Sequence, residues 1–353
     1  MRDPQGGLYS SKRKAGMVTQ AKEIGSEFWD APVIEKENGL FPKGTQWYLS
    51  GRSALQAIIR ELKDCSSVAV PSWCCDSMIK PFSDAGFRID FYPVYWENGL
   101  VQEPSMESDV LFLMDYFGYT PEPARTEGYE GIIIRDVTHS LFSASYSDAD
   151  YYFGSLRKWC GVWTGGFAWA SDGSRLDVED PDEQYISLRK LAMEDKRDYI
   201  YGTSAGGKGY LDIFGKAEQM LETAGIEGAS DRDISIASHL DVSLLVNKRR
   251  SNAKVLMEAL GEWLIFPTLR KQDCPMFVPV LVPGGKRDLL RAYLIRHNIY
   301  CPVHWPLSSF HNTEYIDHLI YDNELSLVCD QRYGENDMKY IVDTIHSFYK
   351  ETR

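Results

Sequence analysis

A chain of 353 residues, 44% of them hydrophobic, can bury a sizeable core and fill two domains. Its formal charge of −13 opposes a nucleic-acid backbone, so nucleic acid is not an expected partner. Seven cysteines without a CxxC pair or a zinc-type Cys/His spacing exclude a zinc module and read as reduced thiols in a cytoplasmic protein; no metal site is expected.

The first residues, MRDPQGGLYSSKRKAG, lack the apolar core of a signal peptide, and no run reaches the roughly 18 apolar residues of a membrane helix. A flexible N-terminus is expected over residues 1–27. RSALQAIIRELKD, 52–64, places Ala54, Leu55, Ile58, Ile59 and Leu62 at helical spacing. SVAVPS, 67–72, reads as a short buried strand ended by proline. CDSMIKPFSDAG reads as a helix closed by Gly86, and RIDFYPVYW as the next strand. DVLFLMDYFG, GIIIRDVTHS, ADYYFGSL and GGFAWAS are further strands. Several turn polar at their C-terminal ends, where Asp115, Asp136 and His139 stand. This alternation predicts an α/β sheet covered on both faces, in which ligands sit beyond the carboxyl ends of the strands.

Two helices then flank a Gly-rich loop, 203–209, and residues 241–263 read as one long helix. After Trp263 the segments MFVPVLVP, KRDLLRAYLIRHN, IYCPVHW and ENDMKYIVDTIHSFYKE form a compact α+β unit. The predicted division is a large domain over 28–247 and a small C-terminal domain over 248–353.

Four pieces of sequence carry chemistry. Gly51, Arg52 and Ser53 open a helix, whose free N–H groups can hold a phosphate; equally, Ser50 or Ser53 can simply cap it. Asp136 ends an apolar strand with His139 three residues on, and a carboxylate so placed needs a cation or several donors. Lys158, with Ser155 before it, lies among aromatic residues, where a lysine can be kept dry enough to act as a nucleophile. The turn WTGG, 163–166, follows. Pyridoxal phosphate asks for a phosphate cradle, a carboxylate for its ring nitrogen and a Schiff-base lysine. Gly51–Ser53, Asp136 and Lys158 supply them in that order.

With those residues in place, the chain resembles the DegT/DnrJ/EryC1/StrS family of pyridoxal-phosphate sugar aminotransferases, over about residues 45–350. SGRSAL, 50–55, matches the family's SGxxAL, and Asp136–Val–Thr–His139–Ser140 matches its D-x-x-H/Q-S. The lysine-centred loop from Ser155 to Gly166 and the ending LSLVCDQRYGENDM, 325–338, are also similar. The resemblance implies fold type I, a large mostly parallel-sheet domain plus a small C-terminal α+β domain. It implies Lys158 as the Schiff-base lysine and proton carrier, Asp136 against the pyridine nitrogen and His139 at the ring. Gly51, Arg52, Ser53 and Ser155 would hold the phosphate, Trp73 or Cys75 would stack on the ring, and His304 or Trp305 would touch substrate. It further implies a homodimer with the site at the interface. The activity implied is transfer of an amino group from a donor such as glutamate to a keto-sugar, nucleotide-linked, in surface-polysaccharide or secondary-metabolite biosynthesis. The alternatives are a lyase or condensation on an amino acid with the same cofactor, or a non-catalytic relative. The segment RDISIASHL, 232–240, lacks the asparagine that the family places near the phosphate, and Arg52 replaces the commoner threonine.

Overall fold

A computed structural model describes residues 23–104, 107–120, 126–143, 148–203, 207–311 and 313–352. The N-terminal expectation for residues 1–22, and residues 204–206 of the Gly-rich loop, lie outside them. In chain order the strands are β1 (Ile24–Gly25), β2 (Gln46–Tyr48), β3 (Ser67–Pro71), β4 (Arg88–Tyr92), β5 (Val94–Trp96), β6 (Leu100–Gln102) and β7 (Val110–Met114). They continue as β8 (Ile132–Asp136), β9 (Tyr151–Ser155), β10 (Gly166–Ala170), β11 (Phe277–Leu281), β12 (Ile299–Tyr300) and β13 (Glu324–Val328). The helices are α1 (Gly51–Glu61), α2 (Asp76–Asp84), α3 (Glu183–Ile200), α4 (Tyr210–Met220), α5 (Asp231–His239), α6 (Val242–Ala259), α7 (Arg287–Arg296), α8 (His318–Asn323) and α9 (Glu335–Glu351).

Seven strands form one sheet in the order β2-β10-β9-β8-β7-β3-β4. The run β4-β3-β7-β8-β9 is parallel, while β10 and β2 join antiparallel at one edge. Every residue of β3, β7 and β10 is buried, which explains why these strands read as continuous apolar runs rather than alternating ones. Helix α1 packs on β9 and β10 through the face carrying Ala54, Leu55, Ile58 and Ile59. Among the described residues no helix is long and apolar enough to cross a membrane.

A second core surrounds the antiparallel pair β11–β13 and holds Leu256 of α6, Leu294 of α7 and Ile341 of α9. Helix α6 runs through position 248 without a break, and its Ala253 and Leu256 lie in this second core. Ile24 belongs there too, because β1 pairs in parallel with β12. The segment 23–25 is therefore buried and paired, not loose as expected for all of 1–27. The composition of the first residues misleads here: Ile24 and Gly25 are held by strand pairing with a part of the chain far away in sequence, and Glu23 by Lys208 at 2.9 Å.

Three element boundaries differ from the sequence reading for local reasons. Pro93 separates β4 from β5, which turns away into a hairpin with β6. The long helix ends at Ala259, and Gly261–Trp263 forms a separate 3₁₀ turn. The segment 299–305 is a strand only at Ile299–Tyr300, with Pro302 following.

Gly166 has no room for a side chain. A Cβ there would lie 1.9 Å from the carbonyl oxygen of Ser50, immediately before α1. Gly166→Ala is expected to lower stability by about 2 kcal/mol or more. Gly215→Ala, in an exposed position of α4 with nothing within 4 Å, is expected to raise it by about 0.5–1 kcal/mol. Paired denaturant titrations check both signs.

Candidate active site

The carboxyl ends of the parallel strands place the chemistry. Strand β8 ends in Asp136, β9 ends in Ser155, and a 3₁₀ turn, Leu156–Lys158, carries Lys158 out of the sheet. Together with Gly51, Arg52, Cys75, His139 and Trp305 these residues line a cavity of about 180 Å³. The sequence-predicted Asp136, His139, Ser155 and Lys158 thus converge on one space, although they come from separate strand ends and loops.

Asp136 is buried, and its Oδ1 accepts a hydrogen bond from the Thr138 N–H at 2.7 Å. Burial pushes its carboxyl up to about 6; the Asp115 carboxylate adds to that, while the Thr138 bond and the Lys158 charge work against it. Asp115 is held by Arg135 Nη1 at 2.6 Å and by the Ser140 hydroxyl, and this tethers the turn that carries His139. His139 Nδ1 accepts from the Phe117 N–H at 3.3 Å, so in the neutral ring the proton sits on Nε2. Burial, reinforced by the Lys158 charge, lowers its pKa to about 3 and keeps the ring neutral.

Ser50 caps α1 by accepting from Ser53 N–H at 3.1 Å. The first-turn N–H groups of Gly51 and Arg52 are left at the cavity end of the helix, the arrangement that holds an anion. Gly51 is needed for closeness, since a Cβ would stand 3.3 Å from Ser155 Cβ. Arg52 sends its guanidinium elsewhere: Nη1 donates to the Leu221 carbonyl at 2.7 Å and pairs with Glu222 at 3.2 Å. Ser53 is buried against Ser50 Oγ and does not line the cavity, whereas Ser50 does.

Of the two residues expected against a ring, Cys75 lines the cavity and Trp73 does not. Trp73 is fully buried, stacked on Tyr116 at 5.0 Å, with its indole N–H donating to the His304 carbonyl at 2.7 Å. Trp73 and Cys74 are both fully buried, and Cys75, the N-cap of α2, is the residue of this turn that reaches the cavity. The Cys75 Sγ lies 2.7 Å from Ser77 Oγ, and burial pushes its pKa up. The broad aromatic wall comes from the C-terminal unit: Trp305 lines the cavity and lies 5.6 Å from the His139 ring at an interplanar angle of 22°.

His304 is behind that wall, not in it. Its N–H donates to Glu324 Oε2 at 2.7 Å, and the Ser326 hydroxyl donates to Glu324 Oε1 at 2.6 Å. With that hydroxyl proton committed, His304 Nδ1–H is the donor to Ser326 Oγ at 2.8 Å. Burial drives the His304 pKa well below its ordinary value, and it pushes Glu324 up to about 8.

Several site residues carried no sequence signal. Arg157, next to Lys158, donates to the Tyr185 hydroxyl at 2.8 Å and pairs with Glu218. Asp233 in α5 is buried and fastens the turn after Lys158: it accepts from Thr164 N–H and Oγ1 at 2.8 Å each and from Trp163 N–H at 3.1 Å. Its segment is the one lacking the expected asparagine. Glu27, Arg157 and Lys158 also line a second cavity of about 460 Å³, bounded by Phe28, Phe214, Met276, Phe277 and Arg332. The two spaces meet at Lys158.

The chain is similar in fold to several solved structures. The PLP form of Spr1654 from Streptococcus pneumoniae superposes with a TM-score of 0.62 at 14% identity, covering 94% of this chain and 100% of that one. A DegT DnrJ EryC1 StrS aminotransferase from Brucella abortus gives 0.57 at 16% identity, covering 86% and 85%. Helicobacter pylori PseC, an aminotransferase involved in the biosynthesis of pseudoaminic acid, gives 0.58 at 13% identity, covering 92% and 100%. No protein-family model matches the chain, and no curated protein matches it by sequence. At these identities the likeness is one of fold, and the chain has the α/β architecture of these enzymes.

The Glu324 carboxyl gives a signed pH prediction. Its folded pKa of about 8 lies above the unfolded value, so the unfolded chain releases this proton first and the group's contribution falls between about pH 4.5 and 8. Glu324→Gln removes that loss. The melting temperature of the variant relative to wild type is expected to rise steadily from pH 5 to pH 8, measured by calorimetry in matched buffers; a constant difference would contradict the raised pKa.

Proposed function

We propose that this chain is a pyridoxal-phosphate aminotransferase of the DegT/DnrJ/EryC1/StrS type. The observation that carries the reading is the meeting of the Lys158 amine, the buried Asp136 carboxylate and the open N-terminus of α1 around one cavity. The residues present fit the cofactor. The α1 N–H groups and Ser155 would hold its phosphate, and Asp136 would face a protonated ring nitrogen. His139 would offer Nε2–H to an oxygen on the ring, with Cys75 and Trp305 bordering it. Pyridoxal phosphate supplies a carbonyl for an amine and an electron-withdrawing ring. Lys158 is exposed at the junction of the cavities, able to bind that carbonyl and then to carry a proton.

The names of the fold relatives support amino transfer, and Spr1654, named as a sugar aminotransferase, supports a sugar acceptor. We infer glutamate as donor and a nucleotide-linked keto-sugar as acceptor, in polysaccharide or secondary-metabolite biosynthesis. The reading includes a cytoplasmic homodimer whose active site lies at the subunit interface, with a large domain over 28–247 and a small one over 248–353.

Purified protein with pyridoxal phosphate is expected to show the absorbance of a lysine-bound cofactor and to change on adding L-glutamate. Lys158→Ala is expected to lose that absorbance and at least about 10²-fold in transamination, the range for losing a general acid–base group. An acceptor screen with UDP- and dTDP-linked 4-keto-6-deoxyhexoses then tests the substrate. Wild-type protein that forms no such absorbance would end the reading. Absorbance that ignores glutamate would exclude this donor.

A further inference from the structure

The larger cavity has walls of a different chemistry from the smaller one. Its floor is one end of the β11–β13 pair, where Phe277 stands opposite Val328, with Met276 just before the strand. Helix α4 supplies Leu211 and Phe214, and α7 supplies Ile295. The pairing of β1 with β12 brings up a further wall. Gly25 passes so close to β12 that a Cβ would meet the Tyr300 carbonyl oxygen at 2.3 Å, and Phe28, three residues on, lines the space. Large apolar side chains from distant parts of the sequence thus face one cavity of about 460 Å³.

The charged groups around it are largely spent on one another. Arg332 donates to both Asp330 oxygens, at 2.9 and 2.8 Å, and to the Glu27 carbonyl at 3.1 Å. Arg249 is buried and donates to Gln331 Oε1 and to the Met276 carbonyl, each at 2.9 Å. Arg157 is held by Tyr185 and Glu218, and Arg291, on an exposed side, donates Nε to the Cys301 carbonyl at 3.2 Å. Among the described residues, Lys158 is the lining cation that no hydrogen bond or ion pair engages. A charged ligand entering here would give up its hydration to walls that return little, whereas an apolar one gains from the same walls. An apolar cavity of about 150 Å³ holds a benzene molecule, so one about three times larger has room for a chain of roughly six to eight carbons or an arylalkyl group.

We propose that the larger cavity binds the apolar body of an aldehyde or ketone, or of the corresponding amine, and points its functional carbon at Lys158. This is an alkyl or arylalkyl substrate class beyond the polar donor and acceptor inferred above. Exchange of an amino group on such a substrate rests on the amino-transfer reading; its binding does not.

The test uses the full chain freed of cofactor. Unbranched aldehydes from propanal to octanal, each at the same low concentration, are added with sodium cyanoborohydride. The Lys158 amine condenses with the aldehyde and loses water, and hydride from the cyanoborohydride reduces the imine to a stable secondary amine. Peptide mass spectrometry compares the yield at Lys158 with that at the exposed Lys63. The ratio of the two is expected to rise about fourfold for each methylene that the walls take out of water, until the cavity is full. Leu211→Trp and Ile295→Glu change exposed positions of the lining. Each is expected to cut the octanal ratio about tenfold or more, the equivalent of nearly two methylenes left in water. A ratio that stays flat along the series, or a rise that survives in both variants, would overturn the inference. An absorbance scan of wild type with added pyridoxal phosphate separates the two claims. Absent cofactor absorbance with a rising ratio sinks the amino-transfer reading and leaves the apolar site standing. Normal absorbance with a flat ratio sinks the apolar site alone.

Discussion

The site depends on one close approach of backbone to backbone. Ser50 and Gly51, at the start of α1, lie against Ser155 and Gly166, with no space for a side chain at Gly166 and a tight fit for one at Gly51. The contact brings the N-terminus of α1 over the end of β9, where the antiparallel β10 begins. Gly165, at φ 134°, lets the chain reverse after the Lys158 loop, and its carbonyl accepts from the Leu156 N–H at 2.8 Å. Any larger residue here would push the helix away from the lysine. The open N-terminus of α1 and the Lys158 amine would then no longer face one space, whatever the other residues did.

This part of the molecule was legible in the sequence because it is built from local signals. A small-residue turn before a helical pattern, an acid at the end of an apolar run and a lysine before Gly-Gly each reflect a short-range backbone need. Periodicity placed the strands of the parallel sheet for the same reason: β3 and β7 are buried on both faces, so their apolar runs have no alternative reading as surface. The antiparallel edge was not visible, since strand direction depends on which neighbour a strand meets.

What was not legible is what arises between distant segments. Glu27 belongs to a stretch whose polar, Gly- and Ser-rich approach suggests a loose end; its order comes from pairing with β12 and from Arg332. Asp233 lies in the segment where the family resemblance led one to seek a phosphate-binding asparagine, and it fastens the Trp163–Thr164 turn. Trp73 and Cys75 could not be told apart in sequence because the choice depends on distant partners: the Tyr116 ring and His304 carbonyl hold Trp73 in the core. Arg52 was drawn toward the phosphate by its position, yet the open carbonyl of Leu221 lies within reach of its guanidinium.

The charge distribution follows from the same geometry. A chain with net charge −13 gathers Arg157, Lys158, Arg189, Lys196 and Arg332 around one junction. Such a cluster would repel itself unless carboxylates were interleaved, and Glu27, Glu218 and Asp330 do this. On the opposite side the site is kept neutral: His139 and His304 are held uncharged by burial, and Trp305, which lines the cavity, lies against the His304 ring, which does not. The cleft therefore has a charged side at Lys158 and an uncharged side at His139, with Asp136 at its floor. The Lys158 amine thus lies among interleaved charges of both signs, while burial keeps the His139 ring neutral.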